Sequence, residues 1–410
     1  MQHIVLVVPA ESYRADAFLQ AAARTGMRLT LLTDASVPIG DVGLHVSSMS
    51  PPPEELAFLV NTLFDLAPTL VIGIDETSTR LAATLSDQLG LTIGKAQAVE
   101  RAVDKLSLRE VLGQAELSQP KYMVTTLGSL SLVSKYEIDA IVAGLGESFI
   151  VKPPHETASR GVIRVTNTTL AQDLKILKDA IDPTAPLLLE SYVEGPEFAV
   201  EGILNGEDLE VLMIFAKPDI GEGPYFWEST YLGPAKLAPG QQRELTNAVE
   251  RGARALGLAD TPVHAELRLT NGRATILELA PRSIGGRCSA AIQFGDGQRL
   301  EDIILQRALG DRSAIRRHNR SVGIYMIPTP RMGTFREVRG IDMALATSGI
   351  TGVEITVNPG TLVYPPPLTD RYLGFIFAEG LTHTSVSHSL AVASAHLTIV
   401  IDPVAEDSDQ

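Results

Sequence analysis

The chain has 410 residues, enough for two or three domains with a sizeable core. Hydrophobic residues make up 45% and charged residues 20%, the balance of a globular enzyme and not of a disordered or fibrous chain. The net charge of −15 speaks against nucleic acid as a partner, because no basic stripe offsets phosphate repulsion.

A single cysteine, Cys288, excludes an intrachain disulfide and fits a reducing, cytoplasmic setting. The start, MQHIVLVVPAESYR, lacks a basic leader region, and no apolar run reaches membrane-spanning length, so no membrane partner is expected.

In chain order, HIVLVVP (3–9) reads as a buried strand and SYRADAFLQAAARTG (12–26) as a helix stopped by glycine. MRLTLLTD, the Pro-rich loop SPPPEEL, LVIGID (70–75) and the helical TSTRLAATLSDQLG continue a strand–helix alternation. Residues 1–100 are therefore expected to form a domain with an open parallel sheet.

From about residue 101 the pattern changes. AVDKLSLREVLGQAEL reads as one helical run, KYMVTT, ESFIVKPP, GVIRVT and LLLESYV as strands, and LAQDLKILKDAI as a helix. This predicts a small α+β lobe over 101–194. EFAVEGILNGEDLEVLMIF, with a hairpin signal at Asn205-Gly206, opens a larger lobe over 195–318. The remainder, 319–410, is mixed, with VGIYMIP, GTLVYPPP, LGFIFAEG and HLTIVID as strands.

The common nucleotide and metal signatures fail. GLTIGKA (90–96) has three residues between its glycines where a phosphate loop has four, and GLGESF (144–149) lacks the third glycine of a dinucleotide fingerprint. His383, His388 and His396 lack zinc-ligand spacing, and no Gly-x-Ser-x-Gly elbow occurs.

The informative stretch is TPVHAELRLTNGRATILELAPRSIGG (261–286). Alternation puts His264, Glu266 and Arg268 on one face of its first strand, and Ile276, Glu278 and Ala280 on one face of its second. A two-residue Asn271-Gly272 loop in regular register would set the two carboxylates on opposite faces. A three-residue loop with a bulge at Gly272 would bring them to the same face. Facing carboxylates suit a cation, and hard oxygen ligands suit Mg²⁺. A solvated hairpin with scattered charges would show the same letters. Arg282, just beyond, tips the balance, because its planar fork can hold a phosphate oxygen while Pro281, Gly285 and Gly286 shape a turn open to a ligand.

With these residues in view, the chain resembles the ATP-grasp superfamily, and within it the carboxylate–amine ligases of the L-amino-acid ligase (dipeptide synthetase) type. The resemblance covers almost the whole length, including RMGTF, GTLVYPPP and DRYLGFIFAEG near the carboxy terminus. It implies a mixed α/β and α+β architecture: an amino-terminal Rossmann-like domain, the two ATP-grasp lobes and a carboxy-terminal mixed subdomain. It also implies that Lys105 reaches the ATP phosphates and that Lys152 contacts the α-phosphate and adenine. HETASRGV (155–162) matches the loop that closes over the phosphates through Ser159, Arg160 and Gly161. In ESYVEGPEF the backbone near Glu190 and Val193 would read the adenine edge and Glu197 would hold the ribose. Glu266 and Glu278 match the metal ligands, with Mg²⁺ or alternatively Mn²⁺ as the ion, and Arg282 the arginine beside the transferred phosphoryl group. Where the family pattern has an asparagine ligand, this chain has Ala280, which leaves the number of metals open.

The implied activity is ATP-dependent formation of an acyl phosphate from a carboxylate, an amino acid in this family, followed by attack of an amine to give an amide, ADP and phosphate. Ser283, Gly285, Gly286, Arg287 and the GPYFWESTY loop with Tyr225, Trp227 and Glu228 would line the acceptor pocket, and His264 would face it or orient a carboxylate. Cys288 is read as buried and inert, and a homodimer is expected from the family. Competing readings are another acyl-phosphate chemistry on the same fold, carboxylase-like or nucleotide-biosynthetic, and a non-catalytic ATP-binding protein.

Overall fold

The computed structural model describes residues 2–403 apart from residues 11, 13, 36–42, 92–94, 133, 157–159, 178–180, 220–223, 227–228, 286, 318 and 370. The amino-terminal domain runs β1 (His3–Val7), α1 (Ala15–Thr25), β2 (Arg28–Thr33), β3 (Gly43–His45), α2 (Pro53–Leu66), β4 (Leu70–Gly73) and α3 (Glu76–Gln88). Its four strands form a parallel sheet in the order β3-β2-β1-β4. The apolar run at β1 follows from burial on both faces: Ile4 and Leu6 pack into one core, Val5 and Val7 into another. Gly26 closes α1 at φ +65°, and Asp75 caps α3 by accepting from the Ser78 backbone N–H.

The run read as one helix over 102–117 is two. α4 (Ala96–Val103) stops at Asp104, whose extended backbone breaks the helix and whose carboxylate caps α5 (Lys105–Gln114) through the Leu106 N–H at 3.1 Å. The break sets Lys105 at the first turn of a new helix, where its backbone N–H donates to Pro154 O at 3.2 Å.

The small lobe holds β5 (Tyr122–Thr126), α6 (Leu127–Leu130), α7 (Lys135–Leu145), β6 (Ser148–Lys152), β7 (Ile163–Thr166), α8 (Leu170–Leu177) and β8 (Pro186–Ser191). Its antiparallel sheet has the order β5-β8-β6-β7. Period-two alternation divides the labour: Phe149, Val151, Leu187 and Leu189 enter the lobe's core, while Ile150, Lys152 and Glu190 line the cleft below.

The large lobe supplies β9 (Glu197–Asn205), β10 (Asp208–Lys217), β11 (Thr230–Gly233), α9 (Pro239–Leu256), β12 (Pro262–Thr270), β13 (Arg273–Ala280) and α10 (Leu300–Ala308). Beyond it come β14 (Ser321–Ile327), β15 (Gly333–Arg339), α11 (Ile341–Leu345), β16 (Ile350–Ile355), β17 (Leu362–Val363), β18 (Gly374–Gly380), α12 (His383–Ala395) and β19 (Thr398–Asp402). The strand expected at GTLVYPPP is only the two residues of β17, and β15 and β16 are strands beyond those expected. One eight-stranded sheet, β13-β12-β9-β10-β11-β14-β18-β16, crosses from the large lobe into the carboxy-terminal segment. One face packs on the amino-terminal domain through Ala199, Phe215 and Tyr231; the other takes α9 against Val200, Ala265 and Leu267.

Candidate active site

Strands β12 and β13 join through a two-residue loop, Asn271-Gly272, with both residues at positive φ (52° and 80°). This mirror-image turn matches strand twist. Of the two loops the sequence allows, the two-residue one is present, and the three-residue loop with a bulge at Gly272 is not. Parity is restored further along: Leu267 pairs with Ile276, but Glu266 pairs with Glu278, so Leu277 is the extra residue of a bulge. The two carboxylates consequently lie opposite each other on one face, reached by a different device from the one the letters suggested.

That face continues across β9. Glu266 pairs with Ala199, His264 with Glu201 and Arg268 with Glu197, so all the charged side chains project together. Lys217, ending β10, places its ammonium 2.6 Å from Glu197 Oε1 and 2.8 Å from Glu266 Oε1. Arg268 Nε donates to Glu197 Oε2 at 3.0 Å, and its Nη1 donates to the Val193 carbonyl. Both Glu197 and the Val193 carbonyl are therefore engaged within the protein. His264 Nδ1 meets Glu201 Oε1, while its Nε2 lies 3.6 Å from Glu266 Oε1. Burial disfavours the imidazolium, but the Glu201 and Glu266 carboxylates together lift the His264 pKa to about 10.

The opposite wall belongs to the small lobe. Lys152 Nζ lies 2.8 Å from Glu190 Oε2, and Arg109 Nε lies 2.6 Å from Glu190 Oε1. Burial, opposed by Glu190, brings the Lys152 pKa down to about 8. Burial pushes Glu190 up, yet Arg109 and Lys152 together hold it below its ordinary value. Lys105 Nζ donates to the Glu156 carbonyl at 2.6 Å, fixing it under the loop expected to cover phosphates. Burial acts to raise Glu278, but Lys105 and Arg282 keep it ionised against that penalty and against Glu266. The cleft thus gathers Lys105, Lys152, Glu190, Glu197, Glu266 and Glu278, with Val193 at its rim.

Of the covering loop, Arg160 meets Glu156 at 3.4 Å, and Gly161 (φ +69°) donates its N–H to the Pro367 carbonyl at 2.8 Å. Ser159 lies outside the described residues, as do Trp227, Glu228 and Gly286. Tyr225 forms an isolated bridge with Ile163, which stitches the large-lobe loop to the small lobe. At the hinge, Gly195 has φ +109°, and a Cβ there would sit 2.7 Å from the Leu269 carbonyl, so only glycine fits.

The turn after β13 is held from outside the sheet. Arg14 of the amino-terminal domain donates to the Ser283 hydroxyl and, at 3.2 Å, to its carbonyl. Arg282 Nη2 lies 3.8 Å from Glu76 Oε2, a carboxylate raised above its ordinary value by burial. Arg287, at φ +56°, pairs with Glu354 of β16 at 2.5 Å. Ser283 and Arg287 thus already have protein partners, and Gly285 sits in the turn between them. Cys288 is fully buried. Another cavity is lined by Leu212, Met213, Arg317, Arg320 and Glu354; none of the expected site residues that the structure describes lines it.

Several residues here escaped the sequence reading. Arg109 stands four residues after Lys105 on the same helix, and Glu201 shares the face of Glu197 by period two; both signals were available. Lys217, closing the apolar run of β10, was a weaker one. Arg14 and Glu76 meet the turn only through tertiary packing.

The donor set can be tested against a divalent ion. Glu266 and Glu278 offer hard carboxylate oxygens in direct cross-strand register, and Ala280 adds none. Among the described residues no group of three acidic, His or Cys side chains forms a complete protein-only metal site. Two carboxylates fit Mg²⁺, which fills its shell with water and phosphate oxygens.

A two-lobed cleft with lysines above and a carboxylate-bearing sheet below is the architecture of the ATP-grasp proteins. Residues 145–291 match the model of the ATP-grasp domain, and residues 325–402 match the L-amino acid ligase C-terminal domain 2. The chain thus carries an ATP-grasp domain followed by an L-amino acid ligase C-terminal domain. It is 26% identical over 326 residues to the uncharacterised protein y4rH of Sinorhizobium fredii (strain NBRC 101917 / NGR234), covering 77% of this chain and 64% of that one. It is 26% identical over 228 residues to the alanine–anticapsin ligase of Bacillus subtilis (strain 168), covering 50% and 46%. The chain therefore spans about half to two-thirds of the length of these curated relatives. The crystal structure of the L-amino acid ligase from Bacillus licheniformis superposes with a TM-score of 0.82 at 21% identity, over 98% of this chain and 99% of that one, which shows a common fold. No helix among the described residues is long and apolar enough to cross a membrane.

Proposed function

We propose that this protein is an ATP-dependent carboxylate–amine ligase that activates an amino-acid carboxylate as an acyl phosphate and joins it to an amine, releasing an amide or dipeptide, ADP and phosphate. The observation that carries the reading is the facing pair Glu266 and Glu278 in a cleft between two lobes that Lys105 also lines, with Lys105 and Arg282 holding Glu278 below its ordinary value. In this reading Lys152 and Lys105 bind the ATP phosphates, and Arg160 and Gly161 belong to the covering loop. Backbone groups near Glu190 and Val193 face the adenine, and Glu197 faces the ribose.

Mg²⁺ held by Glu266 and Glu278 would neutralise phosphate charge and align the transferred group. A substrate carboxylate oxygen attacks the γ-phosphorus and ADP leaves with the bonding electrons. The amine then attacks the acyl carbon, the C–O bond to phosphate breaks, and the amine proton passes to the departing phosphate or solvent. Arg282 offsets charge on the transferred phosphoryl group, while positioning supplies most of the remaining acceleration. The loop over 155–162 excludes water, which would otherwise hydrolyse the acyl phosphate. The turn with Ser283, Gly285 and Arg287 borders the acceptor side, shaped through the partners those residues already hold. The domain divisions expected at residues 100, 194 and 318 form part of the same proposal.

The test is ADP and phosphate release from Mg-ATP against amino acids singly and in pairs, with mass detection of products and Glu278→Ala as control. Release that needs a pair, yields an amide and disappears in the variant is the expected result. ATP hydrolysis that no pair stimulates, with no amide formed across a broad panel, would sink it.

A further inference from the structure

Arg109 is fully buried, yet the proposed chemistry gives it no contact with substrate. Its guanidinium faces two directions. Nε donates to Glu190 Oε1 at 2.6 Å, and Glu190 Oε2 holds Lys152 Nζ at 2.8 Å. Nη2 donates to the Leu277 carbonyl at 2.6 Å, and Nη1 reaches the Ile276 carbonyl at 3.5 Å. Leu277 is the extra residue of the β13 bulge, the irregularity that turns Glu278 onto the face of Glu266.

A bulge leaves backbone groups without ladder partners, and β13 is an edge strand with no strand beyond it among the described residues. Buried carbonyls in that position need a donor. Ser118 O takes the Ile276 N–H at 2.9 Å, and Arg109 supplies the donors on the carbonyl side. A planar fork serves a carboxylate and a carbonyl together in fixed geometry, which a lysine cannot reproduce.

We propose that Arg109 is a positioning residue for the metal-binding carboxylate: it locks the Leu277 bulge so that Glu278 faces Glu266, and through Glu190 it couples that lock to the nucleotide-facing Lys152. The proposal rests on the ligase reading above for the role of Glu278, but the lock itself is a property of the nucleotide-free protein. It differs from a general packing role in making a specific demand. Loss of Arg109 must damage the part of nucleotide binding that depends on the ion more than the part that does not.

The experiment compares wild type with Arg109→Lys, which keeps a positive charge opposite Glu190, and Arg109→Met. ADP affinity is measured by calorimetry in EDTA and in Mg²⁺, and backbone hydrogen exchange over 275–280 is followed without nucleotide. We expect Mg²⁺ to enhance ADP affinity about 10- to 100-fold less in the variants than in wild type, the usual cost of losing a group that orients a metal ligand. Binding in EDTA falls less, and exchange over 277–280 speeds up while β9 keeps its protection. Folded variants with wild-type Mg²⁺ enhancement and unchanged exchange at 277–280 overturn the proposal. Should Arg109→Met not fold, Arg109→Lys decides. Should wild-type ADP binding ignore Mg²⁺, the ligase reading fails, and the exchange data still decide the lock either way.

Discussion

Two parts of the site are built on different plans. The charged face of β9, β10, β12 and β13 is assembled within one sheet: Glu197, Glu201, Glu266 and Lys217 meet because neighbouring strands carry them in register. The turn from Arg282 to Arg287 is anchored by partners distant in sequence: Arg14 on Ser283, Glu76 near Arg282, and Glu354 on Arg287. Strand register carries most of the first part, with Arg109 of α5 meeting the β13 bulge from outside the sheet. The second acquires its shape only when the amino-terminal domain and β16 are docked. A site built this way holds its charged groups within one sheet and shapes the neighbouring turn through contacts between domains.

Removing a platform carboxylate should have the largest effect. Glu278→Ala is expected to lower turnover by at least about 100-fold while leaving the fold intact, read from ADP release beside a thermal melt. If turnover survives, the platform is not the site of chemistry. Arg282→Lys comes next: a point charge replaces a planar fork, and kcat should fall roughly 10²-fold with KM for ATP nearly unchanged. A rise in KM with unchanged kcat would move Arg282 from the transferred group to ground-state binding.

Arg14→Ala tests the other side of the comparison. It removes a buried donor from Ser283 and should destabilise the protein by about 1–3 kcal/mol, seen in a denaturant titration. Amine-substrate KM should rise while ADP affinity stays near wild type. Equal damage to both would mean that turn and platform are one unit.

Two pH effects are smaller. The Lys152 pKa of about 8 lies below the ordinary lysine value, so its charge is present at neutral pH and lost as pH rises through 8. ATP affinity should therefore weaken above that point in wild type, and this alkaline limb should be absent in Lys152→Met. For His264 the shift is upward, to about 10. Its pairing with Glu201 contributes stability that is complete below about pH 6.5 and is lost as pH rises through about 10. Melts of wild type and His264→Gln should differ most at the acid end of that window and converge toward its alkaline end.

The contrast also explains what could be read from the letters. Period two placed His264, Glu266 and Arg268 on one face, and the strand–helix alternation of the first hundred residues announced a parallel sheet, because both are short-range consequences of backbone geometry. The only bulge the letters offered was at Gly272, whereas the structure has it at Leu277. An Asn-Gly pair announces a tight turn, but nothing in ATILELA marks Leu277 as the extra residue, since a bulge is set by pairing with the partner strand. The Asn205-Gly206 signal did mark a hairpin: Asn205 pairs with Asp208, and the two-residue loop is Gly206-Glu207. Arg14 lies 269 residues from Ser283, beyond any local pattern.

The eight-stranded sheet carries a consequence for how the chain is made. β11 emerges from the ribosome roughly ninety residues before β14, with which Thr230 through Gly233 pair. Until the last quarter of the chain appears, β11 is an open edge able to recruit any passing strand. Translation through the final segment thus completes the sheet, and a pause before β14 is the moment when the nascent protein is most exposed to aggregation.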